Sequence, residues 1–214
     1  MDATPFDQQT YQVRLEWGID GLARVAPADI VIVVDVLRFA TTVTDAVEAG
    51  HAVALDAGAH AVSIDGAAIA VAAAESGAVV LLGCLRNAAA VAAAVYAEQE
   101  RRGQRTSVAI IACGELVGAG PGAPLRFAIE DQLGVGAIVD ALTEMGIDHT
   151  APEAAVACES FRGLRQALRH LLTASGSGRE LAAMGRAHEV ARAAALDASR
   201  AVPVLRDGAF RAWG

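Results

Sequence analysis

The chain has 214 residues (21.9 kDa), of which 54% are hydrophobic and 4% aromatic, and its formal net charge is −8. That apolar content excludes a disordered chain, and the acidic balance argues against nucleic acid as a partner, whose backbone needs a basic surface. The most apolar stretches, Asp29–Leu37 and Ala78–Gly83, are strand-length and end at charged or Gly residues, so a membrane is not expected as a partner either.

Short β-branched runs predict strands over Tyr11–Trp17, Ile30–Val36, Ala52–Asp56, Ala78–Gly83 and Ser107–Cys113, the second and fifth buried on both faces. Ala-rich stretches with helical spacing lie between and after them: Thr41–Ala49, Arg86–Arg102 and Leu125–Met145. Strand–helix alternation of this kind predicts an α/β fold with a parallel or mixed sheet between helix layers. The last third reads as helices over Pro152–Leu172, Gly178–Gly185 and Arg186–Ser199, with a Ser/Gly turn at 175–178. A strand over Val202–Leu205 and a turn at Asp207-Gly208 follow. With no repeat and no polar linker, residues 1–214 are expected to form a single domain.

Several chemistries are absent. All 17 basic residues are Arg, which removes lysine-dependent phosphate loops, Schiff bases and lysine general bases. Cys84, Cys113 and Cys158 are odd in number and far apart, which is neither a disulfide framework nor a zinc set. The five histidines lack metalloprotease spacing, and no G-x-S-x-G elbow occurs. The Gly/Pro loop Val117–Pro124 has the wrong spacing for a dinucleotide site. The segment Met1–Gln12 lacks an export pattern, so the cytoplasm is the expected compartment.

In open α/β sheets ligands bind beyond the carboxyl ends of strands, so the polar residues that follow each strand are the candidates. The second strand runs into Asp35, Arg38, Thr41 and Thr42. A carboxylate suits a hard cation, while an Arg fork beside a helix start suits an anion. Helix capping by Asp35 and Thr41 and a surface ion pair for Arg38 are the bland alternatives. The fourth strand ends in Cys84-Leu85-Arg86-Asn87, where Asn87 either caps the following helix or contacts a ligand; Cys84 reads as a buried structural thiol. After the fifth strand come Glu115 and, on the next helix, Glu130 and Asp131. Neighbours on a helix point about 100° apart, so one of these two is expected at the site and the other in solvent.

Asp35-Val36-Leu37-Arg38 with Thr41-Thr42 resembles the 2-phosphosulfolactate phosphatase (ComB) family. The likeness includes Gln12–Gly18 with Gly21, Gly83–Ala88, Cys113-Gly114-Glu115, Ala128–Asp131, Gly134–Ala137, Ser175-Gly176, Leu181, Gly185 and Val202-Pro203-Val204. It therefore runs through nearly the whole chain in order. The resemblance implies a three-layer α/β/α fold and Mg²⁺-dependent hydrolysis of 2-phosphosulfolactate, a step towards coenzyme M. It also implies a small anionic phosphorylated substrate. In that reading Asp35, Arg38 and Glu115 are catalytic, and Asp35, Glu115, Glu130 and Asp131 form the metal set. Thr41, Thr42, Asp65, Gly66, Arg86 and Asn87 contact substrate. The chain departs from the family pattern by an internal deletion after Asp56, by Asp65 where Asn is usual, and by Glu189 where Asp is usual. The deletion motivates an alternative, a catalytically silent relative that binds a phosphorylated metabolite or a protein. An Ala-rich helical surface suits a homodimer.

Overall fold

A computed structural model of the protein describes residues 4–55, 64–118 and 123–214. Four parallel strands lie side by side from one edge of the sheet to its middle: β1 (Val13–Trp17), β5 (Val108–Ala112), β2 (Ile30–Val34) and β4 (Val79–Gly83). Every residue of β2 and β5 is buried. Strands covered on both faces have no solvent side, which is why these two are unbroken apolar runs rather than alternating ones. Beyond β4 the direction reverses. Strand β8 (Pro203–Arg206) pairs antiparallel with β4 and turns back into β9 (Ala209–Ala212), which carries the short edge strand β3 (Val53–Ala54). The β8–β9 turn is Asp207-Gly208, with φ of 50° and 72°, the two positive angles that a tight hairpin requires. The result is a seven-stranded mixed sheet.

Two groups of helices pack against the central strands. One comprises α1 (Gly18–Arg24), α2 (Phe39–Glu48) and α3 (Ile64–Glu75); the other comprises α4 (Ala88–Arg102), α5 (Ile129–Glu144) and α6 (Pro152–Leu164). A single hydrophobic cluster runs through the sheet and both helix layers, including Phe39, Leu81, Ile138 and Phe210. This is the expected α/β/α arrangement. Helices α7 (Leu168–Ala174), α8 (Gly176–Ala183) and α9 (Ala187–Ala193) pack on one another and reach the carboxyl end of β4. There the amides of Asp197 and Ser199 donate to the carbonyls of Leu85 and Arg86 at 3.0 and 2.8 Å.

Some boundaries differ from the sequence expectation. Residues 125–126 are not helical. They form β7 (Leu125–Arg126), paired with β6 (Glu115–Leu116), and α5 begins only at Ile129. The expected helix 152–172 is broken by a 3-10 turn at Arg165–Ala167, after which Leu168 and Leu172 enter the core. The expected helix 186–199 runs only over Ala187–Ala193, and beyond it Asp197 adopts φ 49° and gives its amide to the Leu85 carbonyl. The strand expected over 52–56 shrinks to Val53–Ala54, and Asp56 lies outside the described residues. Helices α1 and α3 carry no strong signal of their own and were not expected.

Candidate active site

The site is built on the link between β2 and α2. Asp35 continues the buried strand and is itself 7% exposed. Its Oδ1 accepts the Phe39 amide at 3.1 Å and its carbonyl accepts the Ala40 amide at 3.0 Å, which starts α2. The Thr41 hydroxyl donates back to the Val36 carbonyl at 2.8 Å. Asp35 and Thr41 thus hold the local turn. Thr42 is exposed and Arg38 half-buried on the outer side of that turn, and Arg38 forms no ion pair among the described residues.

On one side of the turn carboxylates gather. The first turn of α5 presents Glu130 and Asp131, both buried, so the expectation that one of them is a solvated surface charge is corrected. They point to different neighbours. Asp131 accepts the Val36 amide on Oδ1 at 2.8 Å and the Gly114 amide on Oδ2 at 2.9 Å, tying the ends of β2 and β5 to the helix. Burial, and then the charges of Asp35 and Glu130, push its carboxyl well above the usual range, against the pull of the two amides. Glu130 turns instead towards α8. Its Oε1 lies 2.5 Å from the Ser177 hydroxyl, and the Glu115 carboxylate reaches the same oxygen.

One hydroxyl carries one proton and can donate to only one of two carboxylates. Glu115, Glu130 and Ser177 are therefore a set of oxygens short of positive charge. No three His, Cys, Asp or Glu side chains among the described residues are grouped closely enough to hold one ion. Two carboxylates and a hydroxyl nonetheless match the needs of Mg²⁺, which is commonly held by one or two carboxylates together with water and substrate phosphate. Arg126 of β7, opposite Glu115 in register, lies across the first turn of α8, where a Cβ added to Gly176 would stand 2.6 Å from its Nη1.

The same turn lines a cavity of about 290 Å³. Val36, Leu37 and Ala193 supply its apolar part, and Arg38, Arg186, His188 and Arg192 its basic part. Arg192 pairs with Asp45 at 2.7 Å and Arg186 with Glu189 at 2.5 Å.

The other candidates serve the frame. Arg86 is buried between Asp45 at 3.0 Å and Glu48 at 3.7 Å rather than facing the cavity. Asn87 is fully buried; its amide donates to the carbonyls of Leu82 and Ala201 and its Oδ1 accepts the Cys84 amide at 2.9 Å. Neither presents a group to a ligand, a correction of the expected substrate contacts. Asn87 does not cap α4 either: Asp197 accepts the Ala89 amide at 2.8 Å, from 108 residues away. Cys84 is fully buried and its thiol is pushed up by burial, in line with a structural role. Gly66 is buried in the first turn of α3, while the side chain of Asp65 and residues 119–122 lie outside the described set. Sequence reasoning missed Ser177, Arg126, Arg186, His188 and Arg192. Only the Ser/Gly turn at 175–178 offered a signal, and there Ser175 caps α8 by accepting the Gly178 amide at 3.1 Å.

The family model for 2-phosphosulpholactate phosphatase matches residues 62–208, more than half of the chain. The chain belongs to the 2-phosphosulpholactate phosphatase family. No curated protein matches it. The matched region holds Glu115, Glu130, Asp131, Ser177 and α9, so the acidic set and one wall of the cavity both fall within the part that defines this phosphatase family. The Asp35–Thr42 turn, which both adjoin, precedes the match. Membership makes hydrolase the coarse class of a 2-phosphosulpholactate phosphatase relative. Among the described residues no helix is long and apolar enough to cross a membrane.

Proposed function

We propose that the protein hydrolyses the phosphate ester of 2-phosphosulfolactate, or of a closely related small 2-phospho acid, with Mg²⁺ as cofactor. The observation that carries this reading is that an acidic oxygen set and a basic cavity both adjoin the single turn 35–38. Phosphoryl transfer needs little covalent help from a protein. It needs positioning, and compensation for the charge on the phosphoryl oxygens. Arg38, which forms no ion pair among the described residues, binds the phosphate, and the exposed Thr42 hydroxyl donates to it. Asp35, fixed by the Phe39 amide, orients the groups that meet at the turn. Glu115 and Glu130, joined through Ser177, are the residues that would hold the metal. When bound there, Mg²⁺ would neutralise charge on the phosphoryl oxygens. Asp131 acts one step back by pinning β2 and β5.

The test is release of orthophosphate from 2-phosphosulfolactate with Mg²⁺ and with chelator. The expected result is Mg²⁺-stimulated turnover that falls at least a hundredfold (about 3 kcal/mol of transition-state stabilisation) in Asp35→Asn, with Tm retained. Binding without turnover under any divalent metal would overturn this reading in favour of the silent relative.

A further inference from the structure

The β2–α2 turn supplies only one wall of the 290 Å³ cavity; α9 supplies the other. Arg186, Glu189 and Arg192 are spaced three apart, so they line one face of α9 and its entry, opposite Arg38 and Thr42. Three guanidiniums line this cavity, Arg38, Arg186 and Arg192, against the two carboxylates Asp45 and Glu189. Local positive charge stands out on a chain whose net charge is −8. Asp45 is contacted by both Arg86 and Arg192, so it cannot fully neutralise either.

The pairs made by Arg186 and Arg192 are also easily exchanged. Their side chains are 35% and 57% exposed, solvated ion pairs contribute little, and Asp45, itself 13% exposed, keeps Arg86 as a partner when Arg192 turns to a ligand. A ligand anion can therefore replace the protein carboxylate at small cost. The volume lies at the lower end for ligand pockets and suits a compact molecule.

We propose that Arg186, His188 and Arg192 form a subsite for a second acidic group, carboxylate or sulfonate, of a substrate whose phosphate is held by Arg38. The inference rests on the phosphatase reading for the identity of the first group. It makes α9 the element that determines specificity: a two-anion ligand bridges turn and helix, whereas a simple monophosphate engages the turn alone. Forked guanidiniums suit both carboxylate and sulfonate oxygens.

The experiment has a binding arm and a turnover arm, each on the full chain with Mg²⁺ present. In calorimetry, 3-sulfolactate and malate are titrated into wild type, Arg192→Gln and Arg186→Gln. Affinity for at least one ligand is expected to fall tenfold or more in both variants. In the turnover arm, the ratio of kcat/KM for 2-phosphosulfolactate to that for ethyl phosphate is expected to fall at least tenfold. The distant control Arg101→Gln leaves both readouts as in wild type. Circular dichroism and Tm confirm that the variants fold, and two independent positions guard against a local defect at one. Wild type that binds neither ligand, or unchanged affinities in both variants, overturns the subsite. Binding that depends on Arg192 without any phosphate release upholds the subsite and defeats the phosphatase reading. Phosphate release with an unchanged ratio and unchanged affinities does the reverse.

Discussion

Asp131 and Glu130 are neighbours in sequence with different tasks, and the difference lies in what each carboxylate meets. Asp131 meets two strand-end amides. Its replacement by Ala takes the acceptor from the buried Val36 N–H and the partly buried Gly114 N–H, and the expected loss is about 1–3 kcal/mol, read by denaturant unfolding. An unchanged midpoint would show that water satisfies both. Glu98 of α4 is a contrasting case. It is 2% exposed, and hydrogen bonds and charge from Arg101 and then Arg102 draw its carboxyl from 4.5 down to about 2. A depressed carboxyl stabilises the fold above its unfolded value and ceases to do so as the pH falls through its folded one. Glu98→Gln should therefore cost about 1 kcal/mol at neutral pH, allowing for the exposure of Arg101, and the gap to wild type should close between pH 4.5 and 2. At this scale the sequence was informative about residue type and position after each strand. It was silent on direction, which is why Arg86 and Asn87 were assigned to the ligand although they belong to the frame.

At the scale of elements, α5 is the piece that brings the acidic set to the strand ends, and its glycines allow the approach. A Cβ on Gly134 would stand 2.7 Å from the Val36 side chain and 3.1 Å from that of Val34. One on Gly136 would press into the Ala157 carbonyl and stand 2.6 Å from Phe161 Cβ on α6. Backbone cannot yield as a flexible side chain can. Gly136→Ala should destabilise by about 1–3 kcal/mol despite its better helix propensity, and thermal unfolding checks it. A gain in Tm would mean that α6 can slide aside. Gly114 is constrained differently: φ 67° and the nearby Arg126 carbonyl, 2.9 Å from an added Cβ, both select glycine where the chain leaves β5 for β6. The central strands were legible in the sequence because burial on two faces leaves an unbroken apolar signature. Helices α1 and α3 and the β6–β7 pair were not, being short or set by contacts from elsewhere.

Over the whole molecule, the acidic set and the basic cavity adjoin one turn, and the segment that follows α9 reaches the strand ends from the far end of the chain. Cation binding to the native state alone should raise stability by mass action, by about 2.7 kcal/mol at a hundredfold excess over Kd. Tm is accordingly expected to rise with Mg²⁺ in wild type and to stay flat in Glu130→Gln; a flat wild-type curve counts against Glu115 and Glu130 as the metal pair. The sequence alone determined the α/β class, the buried parallel strands, the absence of lysine chemistry and the likeness to a phosphatase family. Those follow from composition, periodicity and local motifs, which are properties of neighbouring residues. Only the tertiary structure decided that Ser177 lies between Glu115 and Glu130, that Asp197 caps α4, and that α9 faces Arg38. Each of these joins residues far apart in the chain, and such meetings depend on how the helices pack over the sheet rather than on any pattern that local order can carry.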